Sequence, residues 1–347
     1  MQTAMRKGMR TAMQAVMGRM SGWIPAILFG AAAMAPAQVL AQPGEWKPSR
    51  SLEWIVPSGP GAALDMAARQ IKEAADRSAK LEHPFLVQNR PGGSNLIALN
   101  TLIQNPGNGH FVATFNHGQI NNRLLGALPV GYSDFTPIAI LLEETLVVAV
   151  REDSPIRTAK DLVERLRKDP GGLSIGIATS AGNHIHVAIA LPLRKAGVDV
   201  SQLRIVPYKS SAASMTDLLG GHIDIVSAST PNVVALHQAG RIRLLAVPTA
   251  ERLGGPLATV PTWREQGIDA VYHSAQGVLG PRGMAPEQIQ FWENLLREAV
   301  KTEGWQKLVS RNHWRATFLT GAEARAYLDA QNEEARAVLG AIGLLKK

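Results

Sequence analysis

The chain has no cysteine, which excludes disulfides, thiolate metal sites and a cysteine nucleophile. It leaves the compartment open, because an exported protein need not carry disulfides. Also missing are the G-x-x-x-x-G-K-[ST] phosphate loop, the G-x-S-x-G elbow, the G-x-G-x-x-G dinucleotide turn and the H-E-x-x-H metal helix. No run of Lys or Arg interleaved with aromatics points to nucleic acid. Beyond residue 41 no apolar stretch is long and clean enough to span a bilayer. Even the uncharged segment from Leu173 to Leu193 carries Ser174, Asn183, His184 and His186.

What is present is an ordinary globular composition: 347 residues, 46% hydrophobic and 18% charged, with 32 Gly and 21 Pro. These values exclude a disordered chain, a collagen and a disulfide-stapled mini-protein. A chain of this length buries roughly three quarters of its unfolded surface and commonly forms two domains. The formal charge of +8 is concentrated at the start. Residues 1–41 hold Arg6, Lys7, Arg10 and Arg19 and no acid, and without them 32 bases face 28 acids, a net +4. Those 41 residues run from a cationic start through the apolar Trp23–Ala35 to small residues ending Val39-Leu40-Ala41. This is the order of a secretory signal cleaved after Ala41 or Ala37. The expected mature protein is periplasmic.

After Trp46 a strand, loop and helix grammar repeats. Leu52–Val56 reads as a strand, Pro57–Ala62 as a turn and Ala63–Lys80 as a helix. The pattern returns at Phe111–Phe115 with the loop Asn116-His117-Gly118-Gln119, and at Leu173–Ala178 with Thr179-Ser180-Ala181-Gly182-Asn183. It returns again at Ile223–Val226 with Ser227–Thr230, where Thr230 is the expected N-cap and Pro231 the first helical residue. Alternating strands and helices predict largely parallel sheets covered on both faces, so two doubly wound α/β lobes are expected. Leu146–Val150 and Gln276–Pro281 are the expected crossings between lobes: 46–145 with 271–347 as lobe 1, and 146–270 as lobe 2. The helical Ala322–Leu339 segment would complete lobe 1. Trp292, on the apolar stripe with Ile289, Leu295, Leu296 and Ala299, is assigned to packing.

In open α/β sheets ligands sit beyond the carboxyl ends of the strands, where helix N-termini favour anions. Pro57–Ala62 and Thr179–Asn183 suit this role, being small, glycine-containing, hydroxyl-bearing and free of Lys and Arg. Asp65, in the first helical turn, is read as fixing its loop, and so as contributing indirectly. His184 and His186 are two apart on a helix, point to different sides and do not suit joint metal ligation. His184 at the helix start can still donate to a ligand. His83, His222 and His313 read as scattered structural or exposed residues.

Several fragments together are specific: Ile55-Val56-Pro57 with Gly61 and Asp65, Asn89-Arg90-Pro91-Gly92-Gly93, and Asp134-Phe135-Thr136-Pro137. They are followed by Asn183-His184-Ile185, Val206-Pro207-Tyr208-Lys209, Asp217–Asp224, Ala239-Gly240-Arg241-Ile242-Arg243 and Val260-Pro261-Thr262. In this order, from Trp46 to about Leu345, the chain resembles the solute-binding proteins of tripartite tricarboxylate transporters, the Bug family. The resemblance implies a two-lobed periplasmic binding protein of type II topology, with its lobes joined by a hinge. It would close on a small organic carboxylate and deliver it to a membrane permease, as a monomer without cofactor, metal or catalysis. The family's two gripping loops match Pro57–Ala62 and Thr179–His184. The expected ligand-binding residues are Ser58, Gly59, Pro60, Gly61, Ala62, Asp65, Asn116, Gln119, Thr179, Ser180, Ala181, Gly182, Asn183, His184, Tyr208 and Ser229. Ala62, Leu64, Ser210 and Ala275 depart from the family pattern, and Leu64 and Ala275 are expected to reshape the cavity. Presentation of the loaded protein to a membrane sensor kinase, and an exported α/β hydrolase, are the alternative outputs.

Ser180→Asp puts a negative charge into the second loop. It is expected to abolish carboxylate binding by like-charge repulsion while leaving the melting temperature of the empty protein nearly unchanged. Calorimetric titration of the variant checks this.

Overall fold

The computed structural model describes residues 45–178 and 180–345. The signal-like segment 1–41 and Thr179 lie outside the described residues. In chain order the elements are β1 (Leu52–Val56), α1 (Ala63–Ser78), β2 (Phe85–Asn89), α2 (Leu96–Ile103), β3 (Phe111–Asn116), α3 (Gly118–Leu124) and β4 (Thr136–Glu144). There follow β5 (Leu146–Arg151), α4 (Ala159–Lys168), β6 (Ser174–Ala178), α5 (His184–Lys195), β7 (Arg204–Tyr208), α6 (Ser211–Leu219), β8 (Ile225–Ser229), α7 (Val234–Gln238) and β9 (Ile242–Ala246). The chain ends with β10 (Ser274–Gly280), α8 (Pro286–Lys301), α9 (Glu303–Arg311), β11 (Arg315–Thr320) and α10 (Gly321–Ala341).

The strands form two sheets, ordered β11-β4-β10-β3-β1-β2 and β7-β6-β8-β5-β9. The first draws on 52–144 and 274–320, the second on 146–246, giving two α/β lobes. Neither sheet is largely parallel. β1 pairs in parallel with β2 and β3, and β6 with β7 and β8. β10 runs antiparallel to β3 and β4, β11 to β4, and β5 to β8 and β9. The reversed strands are chiefly those beside the crossings. A chain that enters a sheet from the neighbouring lobe arrives at the end where the parallel strands finish, so it must run against them.

Each lobe carries helices on both faces. Over the first sheet, α1, α8 and α9 cover one face through Trp54, Ala68, Ile71, Trp292, Leu296 and Trp305. The buried positions of α1 (Ala67, Ala68, Ile71, Ala74, Ala75) follow helical spacing. Trp292 is fully buried, packs edge-on against Trp54 and Phe85, and donates its indole N–H to Gly109 O at 2.8 Å. The other face carries α2, α3 and α10, and its core continues without a break into the α4 and α5 side of the second sheet. α6 and α7 close the remaining face.

α10 packs on α3, β4 and β11 of the first lobe and also on α5 of the second. Its buried Ala335, Val338 and Leu339 sit in the core shared by both lobes. Thr230 is not a helix N-cap: Thr230–Asn232 is a 3₁₀ turn, followed by the short α7. The Thr230 hydroxyl donates instead to Asn312 O at 3.0 Å, tying the end of β8 to the first lobe. Ser227–Ser229, expected as loop, continue strand β8 because they pair with Leu146–Val148.

At the return crossing the β10–β4 register shifts between Gln276 and Gly277. A Cβ built on Gly277 would fall onto the carbonyl oxygen of Ala139 and crowd Ile140 Cδ1 at 3.1 Å. Gly277→Ala is therefore expected to destabilise the fold by about 1–3 kcal/mol, read as a lower urea midpoint with unchanged slope.

Candidate functional site

The loop Pro57–Ala62 leads from β1 into α1. Gly61 has φ +78°, a left-handed conformation costly for other residues, although a Cβ there would meet nothing within 4 Å. Asp65 is buried and accepts hydrogen bonds from Gly61 N at 2.8 Å, Asn89 Nδ2 at 2.8 Å and Arg69 Nε at 2.9 Å. Burial pushes its carboxyl up, but the hydrogen bonds from Arg69, Gly61 and Asn89 outweigh this and hold it below the usual carboxylate range. Asn89 Nδ2 also donates to Ser58 O at 2.9 Å. Asp65 thus holds the loop by both its flanks, while α1 has Ala62 as its N-cap and no side-chain cap on its first amides. Ser58 Oγ is buried and unpartnered. Gly59 is half-buried, and Pro60, Gly61 and Ala62 are exposed. Leu64 packs against the core under α1.

The second loop leads from β6 into α5, and its helix head is differently finished. Asn183 Oδ1 accepts from Ile185 N and His186 N, both at 3.0 Å, and its amide donates to Ala178 O at 2.6 Å. Two of the first amides of α5 are therefore taken by its own cap. Gly182 has φ +83°, and a Cβ there would press on Leu125 at 3.0 Å and Leu344 at 3.2 Å. Its N–H donates to His186 Nδ1 at 2.9 Å, and its carbonyl accepts from Asn121 Nδ2 of α3 at 2.9 Å. Ser180 and Ala181 are exposed.

A chain of contacts runs from the first loop to the head of α5. β1 lies beside β3, whose end holds Asn116. A Cβ on Gly118, two residues on, would stand 3.6 Å from His184 Nδ1 at the head of α5. Asn116 Oδ1 accepts a long bond of 3.5 Å from Asn95. Some expected residues already spend their polar groups elsewhere. Gln119 Nε2 donates to Thr114 O at 3.1 Å, and Tyr208 OH donates to Asp217 at 2.7 Å. Ser229 accepts from Asn232 Nδ2 at 2.9 Å. Ser210 caps α6, accepting from Ala213 N at 3.2 Å. Ala275 is buried in the core, its carbonyl accepting from His117 N at 3.0 Å.

Sequence reasoning passed over three residues. His117 is 1% exposed, has both ring nitrogens unpartnered and packs edge-on against Tyr272, 5.2 Å between centroids. Gln276 is 4% exposed with Oε1 unpartnered. Glu144 ends β4 at the crossing, and burial pushes its carboxyl up, partly offset by Ser229. His117 stands in a loop the sequence had singled out, between the chosen Asn116 and Gln119. For Gln276 and Glu144 only the crossing strands carried a signal. Among the described residues, no group of three or more His, Asp and Glu is arranged to hold a metal. A cavity of about 750 Å³ opens between Trp46, Ala79, Phe291 and Leu295. It lies at the far end of α1, roughly 20 Å from the Pro57–Ala62 loop at 1.5 Å per residue.

The buried histidines are held neutral. Burial lowers His117 to about 3, with the neighbouring His184 and His273 adding to the effect, and lowers His184 and His186 to about 4.

The comparisons agree with this architecture. The family described as "Tripartite tricarboxylate transporter family receptor" matches residues 67–344. A protein of Cupriavidus necator, from the gbd 5′ region, is 26% identical over 321 residues, covering 91% of this chain and 94% of its own. The crystal structure of a TctC solute-binding protein from Polaromonas is 26% identical with a TM-score of 0.71, over 86% of this chain and 99% of that one. The Rhodopseudomonas palustris protein Rpa4515, solved with adipate, is 25% identical with a TM-score of 0.69, over 85% and 98%.

Since the folded His117 and His186 stay neutral while their unfolded counterparts gain protons below about pH 6.5, folding stability falls as the pH drops from there toward 4. The slope reaches about 1.4 kcal/mol per pH unit for each histidine. Thermal melts across this range should steepen accordingly, and His117→Gln should flatten the profile by about one histidine's share.

Proposed function

Because the chain belongs to the receptor family of the tripartite tricarboxylate transporters, we propose that it captures a small organic carboxylate between its lobes and passes it to a permease of that class. Residues 46–145 with 271–347 act as one lobe and 146–270 as the other. Residues 1–41 act as a cleaved signal that brings the protein to the periplasm. No helix among the described residues is long and apolar enough to cross a membrane.

One observation carries the reading: the head of α1 is uncapped, and the buried, unpartnered Ser58 Oγ stands in the loop that leads into it. Free first-turn amides and the positive end of the helix dipole form a site for an anion that needs no Lys or Arg. Asp65 holds the loop that presents them. The bound adipate of the R. palustris protein supports the same ligand class. The second loop adds Ser180 and His184 from the other lobe, so a guest touching both favours the closed arrangement. Its differential affinity for that arrangement is what drives closure.

Titration with mono-, di- and tricarboxylates should raise the melting temperature for at least one member. At a hundredfold excess over Kd the gain is about 2.7 kcal/mol. Scanning calorimetry against the panel checks this, and a flat response across all members would refute it.

A further inference from the structure

In the first lobe α3 and α10 pack on each other, and the chain leaving α3 comes back to α10 through the 3₁₀ turn Tyr132–Asp134. Tyr132 OH donates to Asp329 Oδ1 of α10 at 2.6 Å. Arg325 Nε donates to the same oxygen at 3.2 Å, with its guanidinium over the Tyr132 ring, 5.4 Å from the centroid. Asp134 accepts from Gly131 N at 2.8 Å. Asp134 and Asp329 are thus spent on shaping the turn and pinning it to the helix.

A pocket of about 370 Å³ opens between α3, this turn and the C-terminal half of α10. Its apolar base is made by Ile120 and Leu124, both buried, and by Leu345, where the chain folds back on α10 through Leu345 N to Leu339 O at 3.2 Å. Its polar side chains come from two directions. Arg123 Cγ and Ser133 Oγ lie 3.6 and 3.7 Å from the position a Cβ on Gly131 would take, so both flank the same bare glycine. Asn332 and Arg336 are four residues apart and share one face of α10.

The charge of this pocket is of one sign. Two guanidiniums line it and no Asp or Glu does. Among the described residues Arg123 has no hydrogen-bond or ion-pair partner. Arg336 reaches only Glu333, at 4.0 Å, and that carboxylate also accepts from Asn332 Nδ2 at 3.3 Å. Guanidiniums gathered in one pocket repel each other until an anion joins them. Each offers a planar fork of N–H donors that matches the oxygens of a phosphate. A carboxylate fills one fork, whereas a dianion with three or four oxygens answers both. The Ser133 hydroxyl and the second N–H of Asn332 remain as donors for the other oxygens. The apolar base leaves room for a small organic group behind the phosphate.

We propose that Arg123 and Arg336 form a site for a phosphate group, either free phosphate and its small esters or the headgroup of a phospholipid. The assignment stands apart from the carboxylate reading and does not depend on it. Two arms test it on the purified protein. The first is calorimetric titration with inorganic phosphate and with glycerol 3-phosphate. The second is co-sedimentation with phosphatidylcholine vesicles, with and without phosphatidylglycerol. Binding is expected in at least one arm. Arg123→Gln and Arg336→Gln should each weaken it about tenfold or more, the range of one charge-assisted hydrogen bond, and the double variant about hundredfold or more. Both arginines are exposed, so the variants should melt as the unaltered protein does. Arginine-dependent binding in the first arm identifies a soluble phosphate as the ligand, and in the second a lipid headgroup. Either result supports the site. Absence of binding in both arms overturns the assignment, and so does binding that the double variant retains in full.

Discussion

A single residue, Thr145, separates the last residue of β4 from the first of β5, and this spacing controls how the two sheets meet. With no slack between them, the strand ends of both lobes converge on one line, and Thr230 N closes the junction onto Thr145 O at 3.1 Å. The alternation of side chains then has a fixed consequence. Glu143 turns to α10 and satisfies Arg315, His273 and Tyr327, while Glu144, the next residue, turns to the other side of the sheet. Shifting the register by one residue would exchange the two acids, and Glu143 would lose its partners.

The heads of α1 and α5 are not equivalent. Asn183 closes the head of α5 against its own backbone, whereas α1, with Ala62 as its N-cap, has nothing comparable, so under the proposed function an anion gains more from α1. Asp65 explains how the open head keeps its form: it grips Gly61 and Asn89 from inside the first turn and never needs to face the guest. The same segment that could have capped the helix instead braces the loop.

Several buried polar groups near the crossings are held at a cost. His117, buried with both ring nitrogens unpartnered, forfeits hydrogen bonds it would make in water. Tyr272 OH and Gln276 Oε1 add to that cost. The apolar surface buried by the core common to both lobes, with α10 laid across it, offsets that cost.

Much of this was legible locally. The periodicity of Ala63–Ser78, the turn chemistry of Pro57–Ala62, the packing stripe through Trp292 and the bracing role of Asp65 all depend on residues within a few positions of one another, and short-range sterics and hydrogen bonding decide them. Strand direction did not follow from such patterns, because β5 and β10 reverse only where the chain enters a sheet from its neighbour. Nor did the use of Thr230, whose hydroxyl answers to Asn312, 82 residues away. The importance of His117, Gln276 and Glu144 arises from partners brought together by non-local pairing: β10 aligned with β3 and β4, and β8 with β5. The sequence by itself determined most of the alternation of strands, turns and helices, because short-range sterics decide it. Only the tertiary structure decided which side of each sheet a side chain faces at the crossing, because that depends on a register set by strands far apart in the chain.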